Sequence, residues 1–440
     1  MNIVQSTSIK RRDFLRLACL TTIGGALSGC AANPVTGQSQ LMLMSRSQEI
    51  QIDRERSPHQ FSADLGTVQD RNLNRYLQST GSRLAALSHR PDMPYSFQGV
   101  NAVYVNAYAF PGGSIALTRG ILLDMDSEAQ LAALLGHELA HVNARHTASH
   151  MSKGVLVSTL LAGAGLALQG RAGEYTRLLT GLGSMAAGAL LAGYSRDNER
   201  QADDLGMQYL VRAGYSPEGM VKLQDMLRSL SREQPSAIEL MFATHPMSEE
   251  RYASARKTAA STYRGQLANP VHRERYLDET ASIRRLKPLI KGLQNGQKLT
   301  SRQNLPQAET AFREALQHQP RDYAGLIMLA NCLMRQEKYG PAEQLAQKAK
   351  TVYPQEAQSR HVLGVCRLAR KRYASALTAF QHYEQLLPGN PSIVFLQGLC
   401  LEGMQQFRQA AVQYSSFLQQ VQQGEQAKYA YSRLKEWGYI

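Results

Sequence analysis

The chain has 440 residues, of which 43% are hydrophobic and 19% are charged. This length and balance predict two or three globular domains rather than a disordered chain. The formal net charge of +14 would suit a protein that binds nucleic acid, but no nucleic-acid motif accompanies it. An anionic envelope surface or an acidic partner fits the charge better.

Residues 1–29 are predicted to be a signal peptide. The basic cluster KRRDFLR precedes an apolar run, Leu17 to Leu27, that is too short to span a bilayer. The run leads into Leu-Ser-Gly-Cys, which resembles a bacterial lipobox and makes Cys30 the lipidated first residue of the mature chain. An ordinary secretory signal with an incidental cysteine is the alternative. The pair Arg11 and Arg12 leaves the export route open between twin-arginine and general secretion. The residue after the cysteine is alanine, which resembles the lipoproteins that are sorted to the outer membrane.

The segment from Asn101 to Thr118 predicts a strand, a turn and a second strand. Its alternating pieces VYVNAYAF and SIALT flank a Pro-Gly-Gly turn. The second strand is either part of an ordinary core hairpin or an exposed edge to which a substrate strand adds. In the second case the pairing residues are Gly113, Ser114, Ile115 and Ala116.

The stretch from Ser127 to His150, SEAQLAALLGHELAHVNARHTASH, is predicted to be helical. Asp126 or Ser127 offers an N-cap, and Gln130 completes a capping box. Apolar residues then recur at helical spacing, so that one side of the helix faces the core.

This helix carries the pattern HExxH, which predicts a zinc site. His137 and His141 lie one turn apart on one face and can bind one metal ion, with Glu138 as the general base. Zinc needs a third protein ligand and an open position for water. In the later segment SRDNERQADDLG, Glu199 is the candidate third ligand, and Asp203, one turn on, is the candidate acceptor for the N–H of a ligand histidine.

The extended site HExxHxxGxxH is disfavoured. Ala144 stands at its glycine position and Thr147 at its third histidine position, so His146 falls out of register. A glutamate ligand is therefore the better prediction.

Two apolar stretches rich in Gly and Ala, residues 155–169 and 178–193, lie between the two metal-binding helices. Each is shorter than the roughly 20 residues that cross a membrane. They are interpreted as a helical hairpin that covers the cleft or rests on lipid, with small residues that permit close helix contact.

Four pieces of the sequence resemble, in the same order, the membrane-associated zinc peptidases related to HtpX and the CAAX prenyl proteases. They are AYAFPGGSIALTRGIL, HELAHVNARH, DNERQADDLG and THPMSEER. The resemblance implies a gluzincin fold with zinc on His137, His141 and Glu199. It also places His245 of THPMSEER in the active-site region, either as a donor to the oxyanion or as a latch on the open zinc position.

The C-terminal part repeats with a period of 34 residues. Pro320, Pro354 and Pro388 keep this period, as do Tyr339 and Tyr373. The pattern resembles tetratricopeptide repeats, and four are predicted from residue 289 onward, followed by a capping helix. Together with the resemblance above, they favour the BepA-like periplasmic proteases within the family. Residues 263–288 are polar and are predicted to be a linker.

Three of the five cysteines, Cys332, Cys366 and Cys400, are also 34 apart. Equivalent atoms of stacked repeats are roughly 10 Å apart, too far for a disulfide. They are predicted to be buried thiols.

The prediction is therefore an α+β chain. It has a gluzincin-type peptidase domain at residues 30–262, mainly helical with a small sheet and one zinc ion, followed by an all-α repeat superhelix at residues 289–440. The resemblance implies a lipid-anchored endopeptidase on the periplasmic side of the bacterial envelope, at the outer membrane. Its substrates would be misfolded or misassembled envelope proteins, and the repeats would bind substrate or assembly machinery. The alternative is an assembly factor or chaperone in which the repeats do the main work and proteolysis is secondary.

Overall fold

The computed structural model describes residues 30–152, 193–233 and 235–440. The predicted signal peptide, and the predicted apolar hairpin up to residue 192, lie outside these residues. Among the helices of the described part, none combines the length and the apolar character needed to cross a bilayer.

The N-terminal part begins with a short antiparallel hairpin and continues with helices around a three-stranded sheet. Its elements before the first metal-binding helix are β1 (Cys30–Ala32), β2 (Ser39–Leu41), α1 (Arg46–Ala63), α2 (Arg71–Ala86), β3 (Ser96–Val100), β4 (Ala107–Ala109), β5 (Ser114–Thr118) and α3 (Arg119–Asp124). The sheet order is β3-β5-β4, with β3 parallel and β4 antiparallel to β5.

The sheet confirms the predicted strand, turn and strand but corrects the predicted edge. β5, which contains Ser114, Ile115 and Ala116, is hydrogen-bonded to a strand on each side. Its backbone groups are therefore already used, and an added strand cannot pair there. The prediction that Gly113 to Ala116 form a substrate edge is wrong, because the distant β3 occupies that side. The edge strands of the sheet are β3 and β4.

Two helices that cross closely carry the HExxH pattern and the candidate third ligand. They are α4 (Glu128–Asn143) and α5 (Arg196–Arg212). Ser127, one of the two predicted N-caps, accepts from the Gln130 N–H, but the predicted capping box does not form, because the Gln130 side chain accepts from the N–H of Asp126 instead. Ser195 forms a capping box with Asn198 at the start of α5. Every residue of α4 is buried, since the sheet and other helices surround it. α4 is shorter than predicted and ends at Asn143.

Three helices, α6 (Glu218–Glu233), α7 (Pro235–Thr244) and α8 (Glu249–Ala260), close over the two metal-binding helices. The segment predicted as a linker is itself folded. It contains a 3-10 turn (Arg264–Gln266), α9 (Arg273–Glu279) and α10 (Ala281–Arg285). Its Arg275 pairs with Glu128 at the start of α4, and its buried Tyr276 donates a hydrogen bond to the Leu122 carbonyl.

Four antiparallel helix pairs and a final helix form the C-terminal part, which confirms the repeat prediction. Alanines at one repeated position, Ala308, Ala342, Ala376 and Ala410, are fully buried where the helices of a pair cross. The three repeat cysteines are buried free thiols. The helices are α11 (Lys287–Ser301), α12 (Leu305–His318), α13 (Tyr323–Met334), α14 (Tyr339–Val352), α15 (Gln358–Ala369), α16 (Tyr373–Leu386), α17 (Pro391–Gly403), α18 (Phe407–Gln420) and α19 (Glu425–Glu436).

The N-terminal part contacts equivalent turns of successive repeats. Arg119 forms a buried ion pair with Asp322, with 2.7 Å between Nη1 and Oδ2. One period later, Ser62 donates a hydrogen bond of 2.5 Å to Glu356. A single hydrophobic core also runs from the N-terminal part into the first repeats. The repeats are thus attached to the N-terminal part by packing as well as by the chain.

Candidate metal centre

Four side chains that can bind a metal meet in the interior of the N-terminal part. His137 and His141 come from α4, Glu199 from the first turn of α5, and His245 from the residue after α7. One ligand atom of each lies within 4.8 Å of those of the other three, and all four residues are buried. Three of these residues were predicted as zinc ligands from the sequence, and the structure brings them together with His245.

The distances show which atoms face the centre of the group. Nε2 of His141 lies 3.1 Å from Nε2 of His137 and 3.4 Å from Oε1 of Glu199. Nδ1 of His245 lies 3.1 Å from the same Glu199 oxygen and 3.4 Å from Nε2 of His137. Each histidine therefore turns one nitrogen toward a common point, as the ligands of one ion do.

Two glycines allow the ligand-bearing helices to approach closely. A Cβ on Gly136 of α4 would lie 2.9 Å from the carbonyl oxygen of Gly206, and a Cβ on Gly206 of α5 would lie 2.9 Å from the backbone nitrogen of His137. Any side chain at this crossing would push the helices apart. The contact fixes the distance between the histidines of α4 and Glu199.

Asp203, the candidate acceptor for a ligand histidine, lies behind His137. Its Oδ1 is 3.0 Å from Nδ1 of His137, the ring nitrogen that faces away from the centre. The carboxylate is held in turn by Arg251, whose Nε and Nη2 donate hydrogen bonds of 2.6 and 2.7 Å to it. Burial alone would raise the pKa of Asp203, but the guanidinium of Arg251 outweighs it and lowers the pKa. Asp203 is thus an anion that can orient His137.

Arg251 also reaches the candidate ligand Glu199, with 2.6 Å between Nη1 and Oε2. The pKa of Glu199 is lowered well below its ordinary value, because the cationic and hydrogen-bonding neighbours, His245 first among them, outweigh burial. Burial lowers the pKa of His141 well below its ordinary value. The group therefore contains an ionised carboxylate and a neutral imidazole, the forms that bind a metal ion.

Glu138 is fully buried beside the group. Among the described residues neither of its carboxylate oxygens has a hydrogen-bond partner, and burial raises its pKa. A buried carboxylate without partners is costly, and such groups commonly face a ligand, ion or water at a functional site. Nε2 of His245 lies 3.9 Å from one of its oxygens. The donor set and the unpartnered carboxylate fit a metal ion with a reacting water beside it.

Sequence reasoning missed three residues that shape the centre. Tyr194 stacks on His141 with 3.8 Å between ring centroids, Arg251 pairs with two carboxylates, and His146 contacts the outer nitrogen of His141. Two of them lie inside quoted motifs, His146 in HELAHVNARH and Arg251 in THPMSEER. The motifs therefore include His146 and Arg251, but the contacts of these two side chains are set by the tertiary fold.

Two histidines of an HExxH helix, with a glutamate from a following helix, are the arrangement of a gluzincin-type metallopeptidase. Comparison with known proteins agrees with this class. The profile of peptidase family M48 matches residues 71–259, so this part of the chain is similar to that family. The profile of the anaphase-promoting complex, cyclosome, subunit 3 matches residues 301–383, within the repeats.

Three relatives illustrate the similarity. The chain is 32% identical to the beta-barrel assembly-enhancing protease of Yersinia pestis over 46% of this chain and 42% of the relative. It is 30% identical to the protein of the same name from Escherichia coli K12, over 57% of this chain and 53% of the relative. It is 35% identical to the metalloprotease YcaL of Escherichia coli K12, over 36% of this chain and 59% of the relative. The alignments thus span about half the length of these relatives.

Proposed function

We propose that the chain is a zinc endopeptidase with one zinc ion, held by His137, His141 and Glu199. The observation that carries the proposal is the buried group of metal-binding side chains next to the unpartnered carboxylate of Glu138. Two imidazoles and one carboxylate, with a fourth position open to water or substrate, are typical of catalytic zinc.

In this proposal, bound zinc supplies Lewis acidity that polarises the scissile carbonyl and acidifies water. Glu138 takes the proton of the attacking water and passes it to the leaving nitrogen. Its raised pKa suits this exchange, because a carboxylate destabilised by burial is a stronger base. Asp203 holds His137 in the tautomer that turns Nε2 toward the centre.

His245 is proposed to close the open zinc position in the resting enzyme. Its Nδ1 lies within the ligand group rather than only at its margin, which supports the latch over the oxyanion role. Burial alone would lower the pKa of His245, but the carboxylates of Glu199 and Glu138 outweigh it and raise the pKa. That direction holds before a metal is bound; to close the zinc position the imidazole must lose its proton, which the positive charge of the bound ion favours.

Replacing His245 with Ala separates the two roles. Losing a latch should raise the basal rate at which an unfolded model protein, or the chain itself, is cleaved. Losing an oxyanion donor should lower the rate by ~10²-fold or more. The double variant with Glu138→Gln should be inactive, which shows that any gain comes from this centre. A slower His245→Ala enzyme with normal zinc content would reject the latch and support the oxyanion role.

We further propose that the enzyme works at the periplasmic side of the outer membrane, anchored by lipid on Cys30. The lipobox-like residues 27–30 and the alanine that follows support this location. Replacing Cys30 with Ser should release the protein from washed membranes. If the variant remains bound after a carbonate wash, another part of the chain is the anchor.

The proposed substrates are misfolded or misassembled outer-membrane or periplasmic proteins, with the repeats as the binding surface for substrate or assembly machinery. The support is the name of the relatives, beta-barrel assembly-enhancing protease, together with the repeat superhelix. A Glu138→Gln protein should trap substrates without cleaving them. If this variant fully restores the envelope of a deletion strain, proteolysis is dispensable and the protein is instead an assembly factor.

A further inference from the structure

The helix that carries HExxH stops abruptly two residues after its second histidine. α4 ends at Asn143, Arg145 has a left-handed φ of 58°, and a new helical segment covers residues 146–152. On an unbroken helix, a residue five positions after His141 would lie about 140° further around the axis, on a different face. The break instead brings the ring of His146 to that of His141, with 5.0 Å between centroids.

The contact joins the nitrogens that do not face the metal centre. Nδ1 of His146 lies 3.0 Å from Nδ1 of His141. His141 must keep Nε2 free of hydrogen to bind a metal, so its single proton is on Nδ1. That N–H can only be satisfied if Nδ1 of His146 is an acceptor.

The tautomer of His146 is then fixed as well. With Nδ1 accepting, a neutral imidazole carries its proton on Nε2. This atom lies 2.9 Å from Oε1 of Gln201, which accepts the hydrogen bond. Gln201 belongs to α5, two residues after Glu199, and His146 is only 2% exposed. The three side chains form one directed series, from His141 to His146 to Gln201.

We propose that His146 is a positioning residue of the metal centre, which fixes the tautomer and ring orientation of His141 through Gln201. The inference rests on the proposed metal site. It gives each ligand histidine its own partner, because Asp203 holds His137 from behind and His146 holds His141. The partners differ in kind: one is a carboxylate, and the other is an uncharged ring.

The opposite interpretation is that His146 merely fills space between the two helices. Variants of similar volume distinguish the two. In His146→Asn the amide oxygen takes the place of Nδ1 as an acceptor, whereas His146→Leu fills the space without one. His361→Leu is the matched control, because His361 is a partly buried histidine of the repeats that packs against Phe380.

The decisive measurement is the zinc affinity of the full chain, determined by competition with a chromophoric chelator, alongside kcat and KM on an unfolded protein. Loss of an outer partner typically lowers metal affinity about 10–100-fold. We expect this loss in His146→Leu, an affinity within about threefold of wild type in His146→Asn, and no change in the control. Equal losses in the Asn and Leu variants, or no loss in Leu, would overturn the inference.

A second pair of variants covers the case in which the histidine variants fail to fold. Gln201→Glu keeps an acceptor for the Nε2–H of His146, and Gln201→Leu removes it. The Leu variant should bind zinc more weakly than the Glu variant; equal affinities would refute the series. The zinc affinities of these variants can be measured whether or not the chain cleaves protein. If wild type binds zinc but cleaves no protein, the proposed function fails while the affinities still decide the role of His146.

Discussion

Arg251 offers the sharpest test of how the buried charges of the centre are balanced. Its side chain is 6% exposed, and its guanidinium contacts two carboxylates, Asp203 at 2.6 Å and Glu199 at 2.6 Å. Replacing Arg251 with Met keeps an apolar side chain in place but leaves both carboxylates without their cation. Removing one partner of a buried pair typically costs about 3–5 kcal/mol, so the metal-free protein should lose about that much free energy of unfolding.

Metal should reduce this loss, because an ion on Glu199 supplies the positive charge that Arg251 no longer provides. Urea unfolding of the full chain, followed by circular dichroism, is compared in chelator and in saturating zinc. Arg228→Met is the matched control, since Arg228 pairs with Asp225 and Glu249 at the surface, where solvent screens ion pairs and they contribute little to stability. Equal effects of the two substitutions, or a loss from Arg251→Met that zinc leaves unchanged, would refute the reasoning.

Three further predictions test the helix crossing, the contact with the repeats and the ligand set. Gly206→Ala should lower the zinc affinity, because the new methyl group would lie 2.9 Å from the backbone nitrogen of His137 and push α4 and α5 apart. Competition with a chelator measures the zinc affinity. Burial raises the pKa of Glu356 above its ordinary value of 4.5, so above that pH the folded state holds a proton that the unfolded state has released, and stability should fall as the pH rises further. Thermal unfolding of Glu356→Gln should show a weaker dependence over the same range. His137→Ala should reduce bound zinc from about one ion per chain to none by elemental analysis.

Local signals carried most of what the sequence predicted correctly. Ser127 caps α4 because a hydroxyl three residues before Gln130 satisfies a free N–H, a contact that needs no knowledge of the rest of the fold. The spacing of Glu199 and Asp203, one turn apart on one helix, is also a local signal, and their roles as ligand and acceptor stay predictions. The repeats could also be predicted from the sequence, because each 34-residue unit packs mainly against its neighbours.

The errors concern contacts between distant parts of the chain. The sequence leaves β5 open between a core strand and a substrate edge, because nothing near Gly113 indicates that the distant β3 pairs with the far side of this strand. His146 was set aside because it does not fit an extended zinc motif. The break at Arg145, which turns it toward His141, became visible only in the structure. Register and chain direction at such points are set by tertiary packing.

The charges around the centre give an independent reason to expect a divalent cation. Glu138, Glu199 and Asp203 are all buried there, and Arg251 is the cation that contacts two of them. With Glu138 ionised, three carboxylates and one guanidinium leave two negative charges in a medium where uncompensated charge is costly. A divalent ion removes this excess. Without the ion, the carboxylates of Glu199 and Glu138 raise the pKa of His245, because protonation of that imidazole supplies part of the missing positive charge. His245 is therefore attracted to the centre by the same excess of negative charge that attracts the metal.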